Sequence, residues 1–585
     1  MKRMISAVLL LAGLSIRAQQ ADKPFIRVVD PAKENNSVRT SRVFISGSTC
    51  KSCELTVNGS PVKVYATGGF AHELKLIPGY NTVDIVSRLG KQQVTKKMSF
   101  QYMLPSPPDT VKTLGISQIQ TFPEGDLLLQ PGDKISFRVK AQSGRVVMVN
   151  NKMRLYEMPA AVVPGIYQGE YTISSTDSFV NTRMLVSISD TAGQVVSKLA
   201  PNQVTVINPD SPDILVTTGR LAHLLFGLGE DRLGGAKIGY LDSLIPLQMT
   251  GKIGALYRVK LSKYRTAYIP DDVVEFLPKG TFAPSSLTGT WRVYGDSAYD
   301  YVQISLGARL AYQSMQLVDP SRIVVDIFGA TSNTNWITQM ENTREIKNVW
   351  YEQLEDEVLR VTIELKHPQH WGHAIYYNGN MLVVRVKRQP ENLSLNKLKI
   401  AVDAGHGGGN TGAGGPTGSS EKMLALAVSL KLQKALQQQG AKVTMTRTTE
   451  KFVDNKDRIL FYRDSLPDLL VSLHLNSSGD PVNVTGTGTF YRYVGFRPLS
   501  KHIYERMLEL GLKEYGNTGS FNFMLNSPTE YPNALVEMLF ISNPGEEELI
   551  LNEKFQQEIA DKIVLGIKDF LAGCKNTGNN TNLTN

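Results

Sequence analysis

The sequence predicts a multidomain chain in which all-β modules come first and one α/β domain closes the C-terminal third. Three observations predict it. The chain has 585 residues, more than a single hydrophobic core organises. Up to about residue 388, apolar residues alternate in short runs separated by Gly, Pro and Asn turns, the period of half-buried strands. From residue 398 onward, continuous apolar runs alternate with stretches of helical spacing, the pattern of an α/β sheet. The composition, 42% hydrophobic and 20% charged, is that of globular domains and excludes a largely disordered chain.

Residues 1–18 have the form of a secretory leader. Lys2 and Arg3 precede an apolar core, Ile5 to Ile16, that is too short to span a bilayer, and Ala18 offers a cleavage point. The mature chain is therefore expected to be exported and periplasmic, with no transmembrane segment. Its net charge of +9 is spread along the chain, which suits an anionic polymer or a membrane-facing compartment. No basic block marks a nucleic-acid partner. After export, Cys50 and Cys53, in Cys-Lys-Ser-Cys, are expected to form a local disulfide, because a zinc site would need a second pair. Cys574 lies past the last expected helix and carries no catalytic context.

Residues 24–103 read as a small β domain. Leu55-Thr56-Val57, Asn58-Gly59 and Val62-Lys63-Val64 spell a hairpin. Phe70 to Leu76 and Val83 to Val86 continue the meander, and the whole resembles the immunoglobulin-like modules of secreted bacterial proteins. After the proline-rich joint Pro105 to Pro108, residues 109–208 are again rich in strands, such as Lys134 to Val139 and Met184 to Ile188, without a chemical motif. Pro209 to Pro212 marks another joint. Residues 212–279, with Ile214 to Thr218, the turn Gly234-Gly235, Leu256 to Val259 and Thr266 to Ile269, resemble a bacterial SH3-like module. Binding of wall peptides and a plain spacer role both stay open for it.

Residues 285–388 carry alternating strands at Asp300 to Leu306, Arg322 to Ile327, Val358 to Leu365 and Met381 to Val386. They resemble the AMIN modules that accompany exported amidases and bind peptidoglycan. All four tryptophans, Trp291, Trp336, Trp350 and Trp371, fall here. Sugar stacking is open to them, but core packing is expected for most. His367, His370 and His373 have a spacing that suggests a metal. Pro368 argues against a helix there and no carboxylate is interleaved, so a solvated loop is expected.

The chemistry concentrates in residues 397–572. The run Ile400 to Ala404 breaks into Gly405-His406-Gly407-Gly408-Gly409, which leaves an imidazole at the C-terminal end of a strand, where open α/β sheets keep their sites. Glu421 opens a helix whose apolar residues Leu424, Val428, Leu432 and Leu436 have helical spacing. His474 ends the strand-like run from Leu469, and Glu537 ends the run from Ala534. Further elements are expected at Lys442 to Thr446, Thr487 to Tyr491 and Phe521 to Leu525 as strands, and at Leu499 to Leu512 and Glu553 to Leu571 as helices. Two histidines and one carboxylate on element ends make a catalytic zinc site with the fourth position left to water, and a second carboxylate can serve as base on that water.

These residues carry a resemblance. Val402-Asp403-Ala404-Gly405-His406-Gly407-Gly408, Gly412-Ala413, Gly418 through Glu421-Lys422, Thr446-Arg447, Ser472 to Asn476, and Leu535-Val536-Glu537 with Phe540-Ile541-Ser542-Asn543 stand in the order of the zinc-dependent N-acetylmuramoyl-L-alanine amidases of the type-3 family. The resemblance implies that His406, Glu421 and His474 bind Zn2+ and that Glu537 is the catalytic acid/base. It implies hydrolysis of the amide between N-acetylmuramic acid and L-alanine in peptidoglycan, in wall remodelling or daughter-cell separation, and it leaves room for an activator or division proteins as partners. The chain departs from the family at Asn410, which stands where aspartate is usual, at Leu475 and Ser477, and at Met538-Leu539. Each site residue alone has a plain structural explanation, and it is their joint occurrence in order that argues for function. Asp403 either supports a ligand or orders the turn. From Ser478 to Pro528 a strand, a helix and a turn fill the sequence, so no helical plug over the site is expected. The rivals are another zinc hydrolase of wall peptides and a wall-binding scaffold. Residues 573–585, rich in Asn and Thr, are expected to be a disordered tail.

Overall fold

The computed structural model describes residues 23–104, 110–159, 164–229 and 231–580. The expected leader 1–18, the Pro105 to Pro108 joint and residues 581–585 lie outside them. The first module is a sandwich. A three-stranded sheet (Arg27–Asp30, Arg42–Ser48, Gly69–Lys75) faces a five-stranded one built on the long hairpin Gly79–Leu89 and Gln92–Tyr102. Ile45, Phe70, Ile85 and Phe100 fill the space between. The Asn58-Gly59 hairpin forms because both residues accept positive φ, 50° and 80°, which matches the strand twist. Cys50 and Cys53 are joined by a disulfide.

The next two modules share one sheet. Leu127–Leu129 pairs in parallel with Val195–Val206 of its own module and antiparallel with Pro246–Ile253 of the following one. Arg258 clamps this junction with Nη1 2.8 Å from Asp133 Oδ1. The fourth module stacks a mixed six-stranded sheet on an antiparallel four-stranded one, and its core runs without a break from Leu215 of the third module to Val386. Trp291 is buried inside it, and Trp336 is exposed. Arg322 lies over the Trp350 ring. Trp371 is buried against Phe570 of the last domain.

The expectation of a solvated loop at His367 to His373 is corrected. His370 and His373 are buried, because residues of the last domain pack over this segment. Gln369 Nε2 donates to Gly495 O at 2.7 Å and the His373 amide donates to Thr529 O at 2.8 Å. Burial pulls the two imidazoles down to about 4 and about 3, so they stay neutral. Their ring nitrogens bond to Leu317 O and Ser314 Oγ rather than to one another.

The last domain is α/β. Its strands are β1 (Lys399–Ala404), β2 (Lys442–Thr444), β3 (Leu469–Asn476), β4 (Thr487–Phe490), β5 (Glu514–Thr518) and β6 (Asn533–Phe540). Its helices are α1 (Glu421–Gln438), α2 (Asn455–Ser465), α3 (Arg497–Leu508), α4 (Pro544–Leu551) and α5 (Glu553–Asn580). The sheet order is β2-β1-β3-β6-β4-β5, with β2, β1, β3 and β6 parallel and β4 antiparallel to β6. Of the parallel strands, β1, β3 and β6 are buried on both faces, which explains their unbroken apolar runs. Helices α1, α3 and α5 cover one face through Leu424, Val428, Leu432, Ile503, Ile559, Ile563 and Ile567.

Two expectations change here. Phe521 to Leu525 is not a strand. Ser520 takes φ 55°, turns the chain, and gives way to a short 3-10 turn at Met524–Asn526, while the strand lies earlier as β5. The tail does not begin at 573 either. The apolar stripe of α5 continues through Phe570 and Leu571 to a buried Cys574, and the helix runs to Asn580.

Candidate active site and metal centre

The site is built on the turn after β1. β1 is fixed between β2 and β3, and the Gly405 amide continues the ladder onto Leu473 O at 3.0 Å. His406 then adopts φ 59°, a left-handed backbone that a non-glycine residue keeps only when its surroundings hold it there. Two buried arginines hold it. Arg447 donates to Ala404 O at 3.0 Å and Gly405 O at 2.6 Å. Arg458 donates to Ala404 O at 2.6 Å and to His406 O. Asp403 neutralises Arg458 at 2.8 Å and accepts from Ser472 Oγ at 2.9 Å. Burial opposes ionisation of Asp403, yet Arg458 and His474 hold its carboxyl below the usual range. Asp403 therefore orders the turn and makes no hydrogen bond to the imidazole of His406.

Glu421 is the first residue of α1, where the helix dipole favours a carboxylate. Its Oε1 lies 3.0 Å from His406 Nε2 and 2.9 Å from His474 Nδ1. The Leu475 amide donates to the same oxygen at 3.0 Å, and the Ala413 amide donates to Oε2 at 2.8 Å. Burial works against the charge, but the bonds to both imidazoles hold the Glu421 carboxyl well below the carboxylate range. The ring centroids of His406 and His474 are 5.0 Å apart. Close approach demands glycine at two positions: a Cβ on Gly405 would fall 2.5 Å from the His474 ring, and one on Gly412 would fall 2.5 Å from Glu421 Oε2.

One ligand atom from each of His406, Glu421 and His474 lies within 4.8 Å of the others. This arrangement fits a zinc ion. A buried carboxylate with two imidazoles, and no lysine or arginine paired to it among the described residues, is a donor set of the kind that catalytic zinc takes, three protein ligands with one position open. His406 Nδ1, on the far side of the ring, is 2.9 Å from Asn410 Oδ1, the orienting acceptor that metal-ligating histidines require. Asn410 thus takes up, with a neutral oxygen, the position where the family usually has aspartate.

Glu537 stands beside the triad. β6 pairs with β3 so that Glu537 lies opposite His474. Glu537 Oε2 is buried without a protein hydrogen bond, and burial pushes the carboxyl up to about 7, against the pull of His474. The four residues line one cleft of about 440 Å³. Its aromatic wall is the segment expected to be a strand: Phe523 meets the His474 ring edge-on with centroids 5.6 Å apart, and Phe521 packs on Phe490 at 4.6 Å. From Ser478 to Pro528 the chain forms β4, α3, β5 and two 3-10 turns. The sequence brought His406, Glu421, His474 and Glu537 to notice. It did not reveal Asn410 as an acceptor, Arg458 as the clamp, or the aromatic wall, for which Phe521-Asn522-Phe523 was the only local signal.

Comparison with known proteins bears on this arrangement. Residues 400–569 match the family described as N-acetylmuramoyl-L-alanine amidase, and residues 291–388 match the AMIN domain. The chain is 24% identical over 370 residues to N-acetylmuramoyl-L-alanine amidase AmiC of Neisseria meningitidis, covering 48% of this chain and 89% of that protein. It is 32% identical over 176 residues to the uncharacterized protein YqiI of Bacillus subtilis, covering 29% of this chain and 84% of that one. Among solved structures, an N-acetylmuramoyl-L-alanine amidase from Clostridium difficile 630 is similar at 30% identity and a TM-score of 0.29, over 30% of this chain and 97% of that chain.

Proposed function

The chain belongs to the N-acetylmuramoyl-L-alanine amidases, which hydrolyse the amide between N-acetylmuramic acid and L-alanine of peptidoglycan, and we propose that it does so with zinc held by His406, Glu421 and His474 and with Glu537 as acid/base. The observation that carries the zinc reading is the shared Glu421 Oε1, 3.0 Å and 2.9 Å from two imidazoles, with an unpartnered Glu537 oxygen in the same cleft.

A zinc ion held by His406, Glu421 and His474 would supply Lewis acidity, both for activating water and for polarising the scissile carbonyl. Glu537 accepts a proton from the attacking water and delivers it to the amide nitrogen, so that the peptide leaves as a free amine. A carboxyl that burial sets near neutrality is suited to both transfers. Asn410 fixes the His406 ring, and Arg458 fixes the turn that carries it. Phe521 and Phe523 keep bulk water from one side of the cleft.

The same reading places the protein outside the cytoplasmic membrane, with residues 1–18 as its leader. The Cys50–Cys53 disulfide suits an oxidising compartment. Among the described residues no helix is long and apolar enough to cross a membrane. The test uses the full chain with zinc on isolated peptidoglycan, beside Glu537→Gln, with products read by mass spectrometry. Free stem peptides beginning with L-alanine, lost in the variant, are expected. Trimmed peptides still attached to sugar would transfer the assignment to a peptidase.

A further inference from the structure

One wall of the active-site cleft belongs to another module. Arg232 and Leu233 of the third module line it together with His406, Glu421, His474 and Glu537. They sit on the loop between the strands His223–Leu225 and Lys237–Tyr240. The neck of this loop is closed by backbone: Phe226 N donates to Ala236 O at 2.8 Å, and a Cβ on Gly229 (φ 75°) would fall 2.2 Å from the carbonyl carbon of Gly234.

The loop is fastened to the residues that shape the cleft. Asn522, between Phe521 and Phe523, accepts from the Lys237 amide at 3.1 Å and donates to Gly235 O at 2.9 Å. Arg492 donates to Asn522 Oδ1 at 2.8 Å and to Lys237 O. Nearby, Arg220 pairs with Asp464, and Arg463 donates to Arg220 O at 3.0 Å. The two domains therefore hold Arg232 and the aromatic wall in one frame.

Apart from Glu537, whose Oε2 has no protein hydrogen bond, the other charges around the cleft are committed. Arg458 is bound to Asp403 and to the carbonyls of Ala404 and His406, Glu421 is bound to the two imidazoles, and Asp454 caps α2 by accepting from the Lys456 amide at 2.8 Å. Among the described residues Arg232 has no carboxylate partner, and it is exposed. Its charge is felt at Glu537, where it opposes the upward push of burial. An uncommitted guanidinium at the rim of a site is a fork for a carboxylate.

We propose that Arg232, supplied by the third module, binds a free carboxylate of the stem peptide and so sets the specificity of the amidase. The proposal rests on the amidase reading above. The stem offers two sources of that group: the α-carboxylate of the second residue, a γ-linked glutamate, and a side-chain carboxylate on the third.

The test uses the full chain, zinc-loaded, on three synthetic muramoyl peptides: one with both carboxylates free, one amidated at the second residue and one amidated at the third. kcat and KM are measured for wild type, Arg232→Ala and Arg232→Lys, with bound zinc per chain as the check on folding. Arg232→Ala is expected to lose about 10- to 100-fold in kcat/KM on the fully ionised substrate, mostly in KM, the size of one lost charge-assisted contact. One of the amidated substrates should be poor for wild type and should show little further loss in the variant, which identifies the carboxylate. Arg232→Lys should recover part of the loss. Equal losses on all three substrates, or none on any, would overturn the proposal. A wild type that cleaves none of them would overturn the amidase reading and this one with it.

Discussion

Replacing Asn410 tests the proposed metal centre through a residue that is not one of the proposed ligands. Asn410 Oδ1 accepts from His406 Nδ1 at 2.9 Å and from the Gly412 amide at 3.2 Å. It thereby fixes the tautomer that leaves Nε2 facing Glu421 and ties the histidine turn to the loop that leads to α1. A neutral hydrogen bond of this kind contributes roughly 1 kcal/mol. Losing the acceptor also frees a ring that sits on a left-handed residue and is 23% exposed. Asn410→Ala should therefore weaken zinc by about 10- to 100-fold, roughly 1.4–2.7 kcal/mol. Asn410→Asp should act the other way. A charge-assisted bond is about twice as strong as a neutral one, so a tightening of roughly 5- to 10-fold is expected. Competition for zinc against a chromophoric chelator, at fixed pH and with far-UV circular dichroism as the folding check, measures both. An alanine variant with wild-type affinity, or an aspartate variant weaker than wild type, would refute the assignment of Asn410 as the orienting acceptor.

Three further outcomes are expected. Glu537→Gln should lower kcat by about 10²- to 10⁴-fold while zinc per chain stays at the wild-type value, and loss of zinc instead would make Glu537 a ligand. Asp403→Asn should destabilise the chain by about 3–5 kcal/mol in denaturant unfolding followed at the catalytic domain, because it leaves the buried Arg458 charge without its counter-ion, and a cost below about 1 kcal/mol would sink that account. His367 is raised above its ordinary pKa by its hydrogen bond to Glu345, so the stability it contributes should be complete below about pH 6.5 and lost as pH rises through the folded value. The melting temperature of wild type relative to His367→Gln should accordingly fall between pH 6 and 8, and a flat difference would count against the pair.

What the sequence showed and what it hid divide along a physical line. The parallel strands β1, β3 and β6 were legible because burial on both faces leaves an unbroken apolar run. The Asn58-Gly59 turn was legible because its backbone admits few other residues. His406, Glu421, His474 and Glu537, which line one cleft, could be singled out together because they stand in the order of one family's motifs. The segment Phe521 to Leu525 was misread because two phenylalanines one residue apart suit a strand or a cleft wall equally, and only the left-handed Ser520 decides between them. The α2 helix escaped because its residues are mostly polar, with only Arg458, Ile459 and Tyr462 buried. Arg458 itself reads as an ordinary surface residue until Asp403 is placed beside it.

The packing between modules was the least legible part, and it bears most on how the enzyme should be handled. A strand with alternating pattern reports one buried face, but not whether a segment far along the chain covers the other. His370 and His373 read as residues for solvent, and the core packing expected for most of the tryptophans named no partner for Trp371, yet residues 495, 529 and 570 of the last domain enclose the segment. The first module returns in the same way to the loop that carries Glu421. Thr417 Oγ1 donates to Glu547 at 2.6 Å, and the first module approaches this acid through Gly69. It is joined to the neighbouring surface by Arg42 with Asp480 at 3.1 Å and by the Ala66 amide with Glu548 at 3.0 Å. Residues 397–572 alone would expose Phe570 where Trp371 sits, release the Asn522 contacts to the third module, and leave the cleft without Arg232. The site is thus braced by modules that hold none of its proposed zinc ligands, and the full chain is the form in which its activity and specificity are to be measured.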